Sequence, residues 1–320
     1  MSIAILCSGG DAAGMNPAIK VFVDYVYDMG KKPYLVYDGL EGLIDNKIKK
    51  ASYSDVSGIL YKGGTVLRSS RSKRFFDYEY RKKAFENLKN LNINKLIVLG
   101  GDGSFRAMKQ FYDDFGVDFV GIPTTIDNDI FGTDYCLGVD TALNVIRESI
   151  DNIRDTASSF RRAFVIETMG RDCGYLALVS SITSGAEICI IPEMSYDLDS
   201  IGKRLKKEIK DGRIYTLCII SEGAKVTNEI AKWMEEEIGM QSRVTILGHV
   251  QRGGRPTVYD RLMAFKFVRY SLDKLYKSEK SNDVIVYKDS NFGFVSIDYV
   301  NSQKYQIDPE LLHLVERIMK

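Results

Sequence analysis

Three short loops in this 320-residue chain carry residue types suited to holding phosphate and a metal ion. Gly100-Gly101-Asp102-Gly103-Ser104 sets small residues and backbone N–H groups beside one carboxylate. Pro123-Thr124-Thr125-Ile126-Asp127-Asn128-Asp129 adds two hydroxyls and two more carboxylates. Ser8–Asn16, reading SGGDAAGMN, allows close backbone approach and aims a helix N-terminus at an anion. It lacks the Lys-Ser/Thr of a P-loop and the spacing of a dinucleotide fingerprint, so alone it reads equally as a tight strand-to-helix turn. Two such Gly-rich loops on one sheet edge point to a polyphosphate site. In an extended segment Asp127 and Asp129 would share one side, in a turn no such inference holds, and carboxylates at loop tips are also ordinary turn formers. With Asp102 at the same edge, one carboxylate can hold Mg²⁺ while another takes a hydroxyl proton. Phosphoryl transfer requires that division.

Four further polar clusters follow predicted strands: Arg71 with Lys73 and Arg74, Met169-Gly170-Arg171, Ser221-Glu222-Gly223, and His249-Val250-Gln251-Arg252-Gly253-Gly254. A solvated charge at a strand end is the ordinary reading of each, and His249 alone reads equally as a satisfied, partly buried histidine. Four of them at carboxyl ends make a common site the stronger reading. The cationic run Lys203–Lys207 reads as a solvated helix face. Cys7, Cys136, Cys173, Cys189 and Cys218 form no C-x-x-C pair and read as reduced, buried small hydrophobes. With only His249 and His313 besides, a zinc site is excluded.

The elements that must position these loops alternate from end to end, which indicates α/β with a largely parallel sheet. Leu96–Leu99 and Val117–Ile122 are short apolar runs of the kind buried on both faces, with a helix over Ser104–Tyr112 between them. A strand–helix–parallel strand unit is right-handed, so both following loops emerge at one sheet edge, where open α/β sheets bind ligands. Strands are expected at Ile3–Cys7 and Pro33–Tyr37, and a helix after residue 16 with Asn16 as N-cap and Pro17 first in the helix. A basic loop, residues 63–76, leads to a helix around Asp77–Leu91. Val139, Leu143, Ile146, Ile150 and Ile153 mark a long amphipathic helix. Strands then follow at Ala163–Glu167, Glu187–Ile191, Tyr215–Ile220 and Val244–Leu247, with helices at Cys173–Ile182, Leu198–Ile209 and Asn228–Glu237 between them. A helix at Thr257–Tyr276, short strands at Val284–Tyr287 and Phe292–Ile297, and a helix at Pro309–Met319 close the chain.

Composition is that of an ordinary soluble protein, with 45% apolar and 27% charged residues. The net charge of +1 supplies no footprint for nucleic acid. No apolar run approaches the roughly 18 residues a membrane span needs. Met1-Ser2-Ile3-Ala4 enters a strand without a basic leader, so the chain is expected to be cytoplasmic.

SGGDAAGMN, GGDGS, TTIDND, MGR, the SEG triplet and LGHVQRGG, in this order and spacing, resemble the bacterial ATP-dependent 6-phosphofructokinase family over residues 1–270. The resemblance implies two Rossmann-like three-layer α/β/α domains with the active site in the cleft between them. Residues 1–138 with about 251–300 would bind ATP, and 139–250 with about 301–320 would bind fructose 6-phosphate. It implies transfer of the γ-phosphoryl of Mg-ATP to the C1 hydroxyl of fructose 6-phosphate in glycolysis. By matching positions, Asp127 is the general base and Thr125 lies beside the transferred group. Asp102 holds Mg²⁺, with Asp129 in support. Gly10, Arg71, Gly101, Gly103 and Ser104 fall where ATP binds, and Arg71 and Arg171 meet charge on the phosphoryl group. Met169, Gly170, Glu222 and His249 match the hold on the sugar. Arg252, Arg162 and Arg243 match the grip on its 6-phosphate, the last two from a neighbouring subunit, so a homotetramer with shared active sites is implied.

Several positions depart from the family pattern. ATP users usually have Gly where Thr124 stands, and pyrophosphate users Lys; Gly103, where pyrophosphate users carry Asp, favours ATP. Leu40 replaces an aromatic near adenine, and Phe76 replaces a basic residue, with Arg74 nearby. At the effector site Lys20, Arg154 and Arg213 remain, with Gly185 and Glu187 at metal-binding positions. Asp24, Tyr53 and Asp211 stand where the family is usually basic, and two added carboxylates repel a phosphate ligand. Control by ADP and phosphoenolpyruvate is therefore expected to be weak or absent. The alternatives are a pyrophosphate-dependent enzyme, a lipid or NAD kinase sharing the GGDG loop, and a silent sugar-phosphate-binding subunit.

Overall fold

A computed structural model describes residues 2–278 and 280–319; Met1, Glu279 and Lys320 lie outside the described residues. The chain divides into two compact units. Residues 2–126, 130–141 and 252–305 form the first, and 127–129, 142–251 and 306–319 the second.

The first unit opens with β1 (Ser2–Cys7), α1 (Met15–Asp28), β2 (Lys32–Val36), α2 (Gly39–Ile44) and β3 (Ile48–Lys50). After α3 (Tyr78–Asn90) come β4 (Ile93–Gly100), α4 (Asp102–Phe115) and β5 (Asp118–Pro123). The division falls inside α5 (Val139–Phe160). The second unit holds β6 (Ala163–Thr168), α6 (Tyr175–Ser184), β7 (Ile188–Ile190), α7 (Leu198–Lys210), β8 (Thr216–Ser221), α8 (Thr227–Trp233) and β9 (Ser242–Ile246). The chain then returns to the first unit with α9 (Val258–Lys277), β10 (Asn282–Lys288), β11 (Asn291–Ser296) and α10 (Ile297–Ser302), and ends in the second with α11 (Pro309–Met319).

Among the described residues the strands form two sheets. The seven-stranded one runs β11-β10-β5-β4-β1-β2-β3, and the four-stranded one runs β7-β8-β6-β9. Only the outer pairs β10/β11 and β2/β3 are antiparallel. β1, β5 and β8 are buried at every residue, as continuous apolar runs must be when helices cover both faces. Leu6, Val98, Phe105, Phe111 and Phe119 anchor one core, and Val165, Ile190, Leu205, Ile220 and Met234 the other. Burying each such side chain contributes about 1.5–3 kcal/mol. All five cysteines are buried and unbridged.

Two expectations fail for local reasons. Asn16 is not the N-cap of α1, which starts at Met15 after Gly14. Its buried side chain instead donates to the carbonyls of Lys62 and Gly63 and accepts from Val66 N–H, fastening the basic loop. The helix of the opening motif starts at Asp102 rather than Ser104, with Gly101 as N-cap. α2, β3 and α10 escape sequence reading because each is too short to show a period.

Candidate functional site

In the first sheet β1 lies between β2 and β4, so the chain runs to opposite sides from neighbouring strand ends. The crevice at such a switch point is where open α/β sheets take ligands. Both Gly-rich loops end there. Ser8 N–H donates to Leu99 C=O at 2.8 Å, and Ser104 Oγ donates to Ser8 Oγ at 2.8 Å. A third segment is stitched to them, because Ser69 Oγ donates to Gly9 C=O and Gly9 N–H donates to Ser70 C=O. That brings exposed Arg71, the next residue, to the same edge. Asp102 is the first residue of α4, where a carboxylate meets the positive end of the helix dipole.

The glycines of this edge differ in what demands them. A Cβ on Gly100 would lie 2.8 Å from the Ser104 side chain, so packing requires that glycine. A Cβ on Gly103 would meet no protein atom within 4 Å. The fold leaves that space open.

Arg252 belongs to this unit as well. Its Nη2 lies 2.7 Å from Asp11 Oδ1, and a Cβ on Gly10 would come within 2.5 Å of the same nitrogen. Asp11 was overlooked as a partner because nothing in a Gly-rich turn says which way its one charge points. Thr124 is 2% exposed, and its Oγ1 donates to Ile122 C=O at 2.9 Å while its N–H donates to Gly100 C=O. Its hydroxyl therefore holds the strand end together. Leu40 is buried in the core, and Phe76 is 56% exposed. Arg74 does not replace the missing base: Nε donates to Glu41 at 2.7 Å and Nη2 to Asp45 at 2.9 Å.

The site of the second unit is built from side chains at strand ends. Asn128 takes a left-handed φ of 52°, so TTIDND turns, and the extended reading of Asp127 and Asp129 does not apply. Asp127 is 4% exposed, and its Oδ2 lies 3.4 Å from Nε of the largely exposed Arg171. Thr125 and Asp129 are half-buried beside it in the chain. Glu222 Oε1 accepts from Gly170 N–H at 3.2 Å and Arg171 N–H at 2.8 Å, which fixes the loop after β6. Gly170 has φ 139° and no room for a Cβ against Cys173 C=O. Gln251, 1% exposed, accepts from Met169 N–H at 3.1 Å and donates to Gly248 C=O at 3.0 Å. It ties the two loops together, and only its place inside HVQRGG hinted at that. His249 is exposed in the turn Gly248–Arg252.

Burial chiefly, with the charges of Glu193, Asp129 and Asp127 in support, pushes the Cys173 thiol up to about 12. It is no nucleophile at neutral pH.

Arg162 and Arg243 do not join this group. Arg162 precedes β6 and pairs with Gln241 at 2.9 Å, whereas Met169 follows β6. Six strand residues at about 3.3 Å each separate the two by about 20 Å. Arg243 is registered opposite Phe164 on edge strand β9, near the same end.

The residues matching an effector site are held internally. Lys20 bridges to Asp24 at 2.5 Å, Arg213 to Glu208 at 2.9 Å and also to Glu187, and Arg154 donates to Ser184 C=O. Gly185 caps α6 with φ 62°.

A family description, phosphofructokinase, matches residues 2–275. The ATP-dependent 6-phosphofructokinase of Sulfurimonas denitrificans is 62% identical over 317 residues, covering 99% of both chains. That of Wolinella succinogenes is 55% identical over 320 residues, covering all of both. The phosphofructokinase structure from Saccharomyces cerevisiae superposes with a TM-score of 0.91 at 31% identity, over 99% of this chain and 50% of that one. This chain thus spans half the length of the yeast protein. A pyrophosphate-dependent phosphofructokinase from Marinobacter aquaeolei shares the fold at 18% identity, TM-score 0.84, over 99% and 91% of the two chains.

Proposed function

The chain belongs to the phosphofructokinase family, and from that premise we propose that it moves the γ-phosphoryl of ATP to the C1 hydroxyl of fructose 6-phosphate, giving fructose 1,6-bisphosphate and ADP. Asp127 carries the assignment: a buried carboxylate with the exposed Arg171 guanidinium 3.4 Å away. Asp127 accepts the C1 hydroxyl proton while that oxygen bonds to phosphorus and the bridging bond to ADP breaks. Arg171 and Arg71 meet the phosphoryl charge, because guanidinium forks match phosphate oxygens. Thr125 lies beside the transferred group. Gly10, Gly101, Gly103 and Ser104 receive the nucleotide through backbone and hydroxyl. Met169, Gly170, Glu222 and His249 hold the sugar, and Arg252 its 6-phosphate.

Mg²⁺ fits the donors available. Among the described residues no three His, Cys, Asp or Glu side chains gather into a metal cage. This ion asks only for one or two carboxylates plus phosphate oxygens and water. Asp102, supported by Asp129, would supply those carboxylates. When bound, the ion neutralises charge on the nucleotide phosphates.

The distance between Arg162 and the Met169–Arg171 loop supports a shared site. Residues at opposite ends of β6 do not reach one sugar phosphate, which supports the reading, implied by the family resemblance, that Arg162 and Arg243 serve a neighbouring subunit of a homotetramer. Among the described residues no helix is long and apolar enough to cross a membrane. The internal pairing of Lys20, Arg154 and Arg213 supports weak control by ADP or phosphoenolpyruvate. Strong activation by micromolar ADP at subsaturating sugar phosphate would refute it.

The deciding experiment is turnover on fructose 6-phosphate with ATP and, separately, with pyrophosphate. ATP-driven turnover is expected. Turnover with pyrophosphate alone would reassign the donor, and none with either would leave a sugar-phosphate-binding subunit.

A further inference from the structure

Asp260 is fully buried in the first turn of α9, and its carboxylate accepts four hydrogen bonds. Oδ1 accepts from Tyr135 Oη at 2.5 Å and Gly138 N–H at 2.7 Å. Oδ2 accepts from Thr141 N–H at 2.8 Å and Thr141 Oγ1 at 2.5 Å. None of these donors belongs to α9. Gly138 and Thr141 flank the start of α5, whose end N–H groups have no partners within the helix, so Asp260 caps a helix other than its own.

The exchange is reciprocal. Thr257, the N-cap of α9, accepts from Asp260 N–H, but its own N–H donates to Thr141 Oγ1 at 3.1 Å. Its hydroxyl donates to Asp140 at 2.5 Å. In an ordinary capping box the third helical carboxylate returns to its own N-cap N–H. Here the Thr141 hydroxyl is inserted between those two groups, and two helix starts close on one another. One carboxylate also sits at the positive ends of both helices.

The chain leaves the first unit at Thr141 and re-enters it at Arg252, so this junction grips both passages. Asp127 lies eight residues before Tyr135, and His249 eight before Thr257. We propose that Asp260, acting through Thr141 and Thr257, is a positioning residue for phosphoryl transfer: within the first unit it fixes the segment that leads on from Asp127 and the one that leads on from His249 and Arg252. This rests on the functional reading above. No contact with substrate is assigned to Asp260.

Asp260→Asn sets an amide N–H against the donors of Gly138 or Thr141. Thr141→Val removes only the inserted hydroxyl, and Thr141→Ser keeps it. For folded Asp260→Asn and Thr141→Val, kcat/KM for fructose 6-phosphate should fall about 10- to 100-fold, since small displacements of reacting groups cost that much. KM for the sugar phosphate should rise, KM for ATP should hold, and Thr141→Ser should restore both values. Circular dichroism and thermal melting measure the folded fraction. A Thr141→Val variant with wild-type KM and kcat would overturn the proposal. So would activity lost only in proportion to folded protein, which is what a purely structural role gives. Wild-type chain in the same assay separates the failures. If it is inactive, the functional reading falls and the inference with it; if it is active and the variants match it, the inference falls alone.

Discussion

The two sheet edges are built from different materials. At the edge of the seven-stranded sheet the working groups are mostly backbone: glycine turns after β1 and β4, joined through Ser8, Ser104 and Leu99. At the edge of the four-stranded sheet they are side chains. Arg171 and Asp127 form an ion pair, and Glu222 and Gln251 pin the loop after β6 by its N–H groups. Backbone N–H groups in a turn suit a chain of phosphates that needs many donors in little space. Side chains suit a single hydroxyl that must lose a proton and a sugar that must be told from others. A backbone edge should therefore tolerate changes of side chain that leave its glycines small, while the side-chain edge should fail at single atoms.

The sharpest break is expected at Asp127. Asp127→Ser removes the proposed base but keeps a small polar group, so turnover should drop by about 10²–10⁴-fold while fructose 6-phosphate still binds. Steady-state kinetics with a binding isotherm checks both halves, and near-normal turnover would take Asp127 out of the mechanism. Next comes Glu222→Gln, which retains an acceptor for Gly170 and Arg171 N–H but loses the charge. KM for the sugar phosphate should rise about tenfold with ATP saturation unchanged, the size of one hydrogen bond to a charged group. Equal changes for both substrates would blur the contrast between the edges.

Gly103→Ala tests the backbone edge directly. The new methyl meets no protein atom within 4 Å, and Gly103 lies in the first turn of α4. Stability should hold or rise by about 0.4–1 kcal/mol, as for Gly→Ala at a compatible site. KM for ATP should nonetheless rise, so stability and binding move in opposite directions. A fall in Tm would mean that the fold, rather than the donor, demands that glycine.

Much of this was legible in the sequence, for identifiable reasons. The apolar runs Leu96–Leu99, Phe119–Ile122 and Leu217–Ile220 mark buried strands, and Val139 to Ile153 mark the stripe of the 22-residue α5. Loops at their carboxyl ends could be placed because parallel sheets put them there. What stayed hidden was direction. Asn16 looked like a cap and became a clamp on residues 62–66, because cap preference is local and burial is not. Thr124 stands where the family's donor types differ and matches neither, and its hydroxyl turns to its own strand. Gln251 and Asp260 are single polar residues whose meaning lies in partners 82 and 119 or more positions away, beyond any local pattern.

Arg74 supplies the smallest test of the contrast. It lies in the loop of Arg71, yet its guanidinium is held by Glu41 and Asp45, and all three side chains are about a quarter to a third exposed. The guanidinium holds both carboxyls below their usual range, chiefly through hydrogen bonds. A carboxylate depressed in the folded state adds stability above its unfolded pKa of about 4, and that contribution is lost as pH falls through the folded value. Arg74→Ala should thus lower Tm slightly at pH 7, with the gap from wild type closing toward pH 3, because exposed pairs are screened by solvent. KM for ATP should not move, since this cation braces α2 rather than facing the donor. If it does move, the charge of the 71–76 loop acts as a unit, and the donor edge depends on side chains more than its glycines suggest.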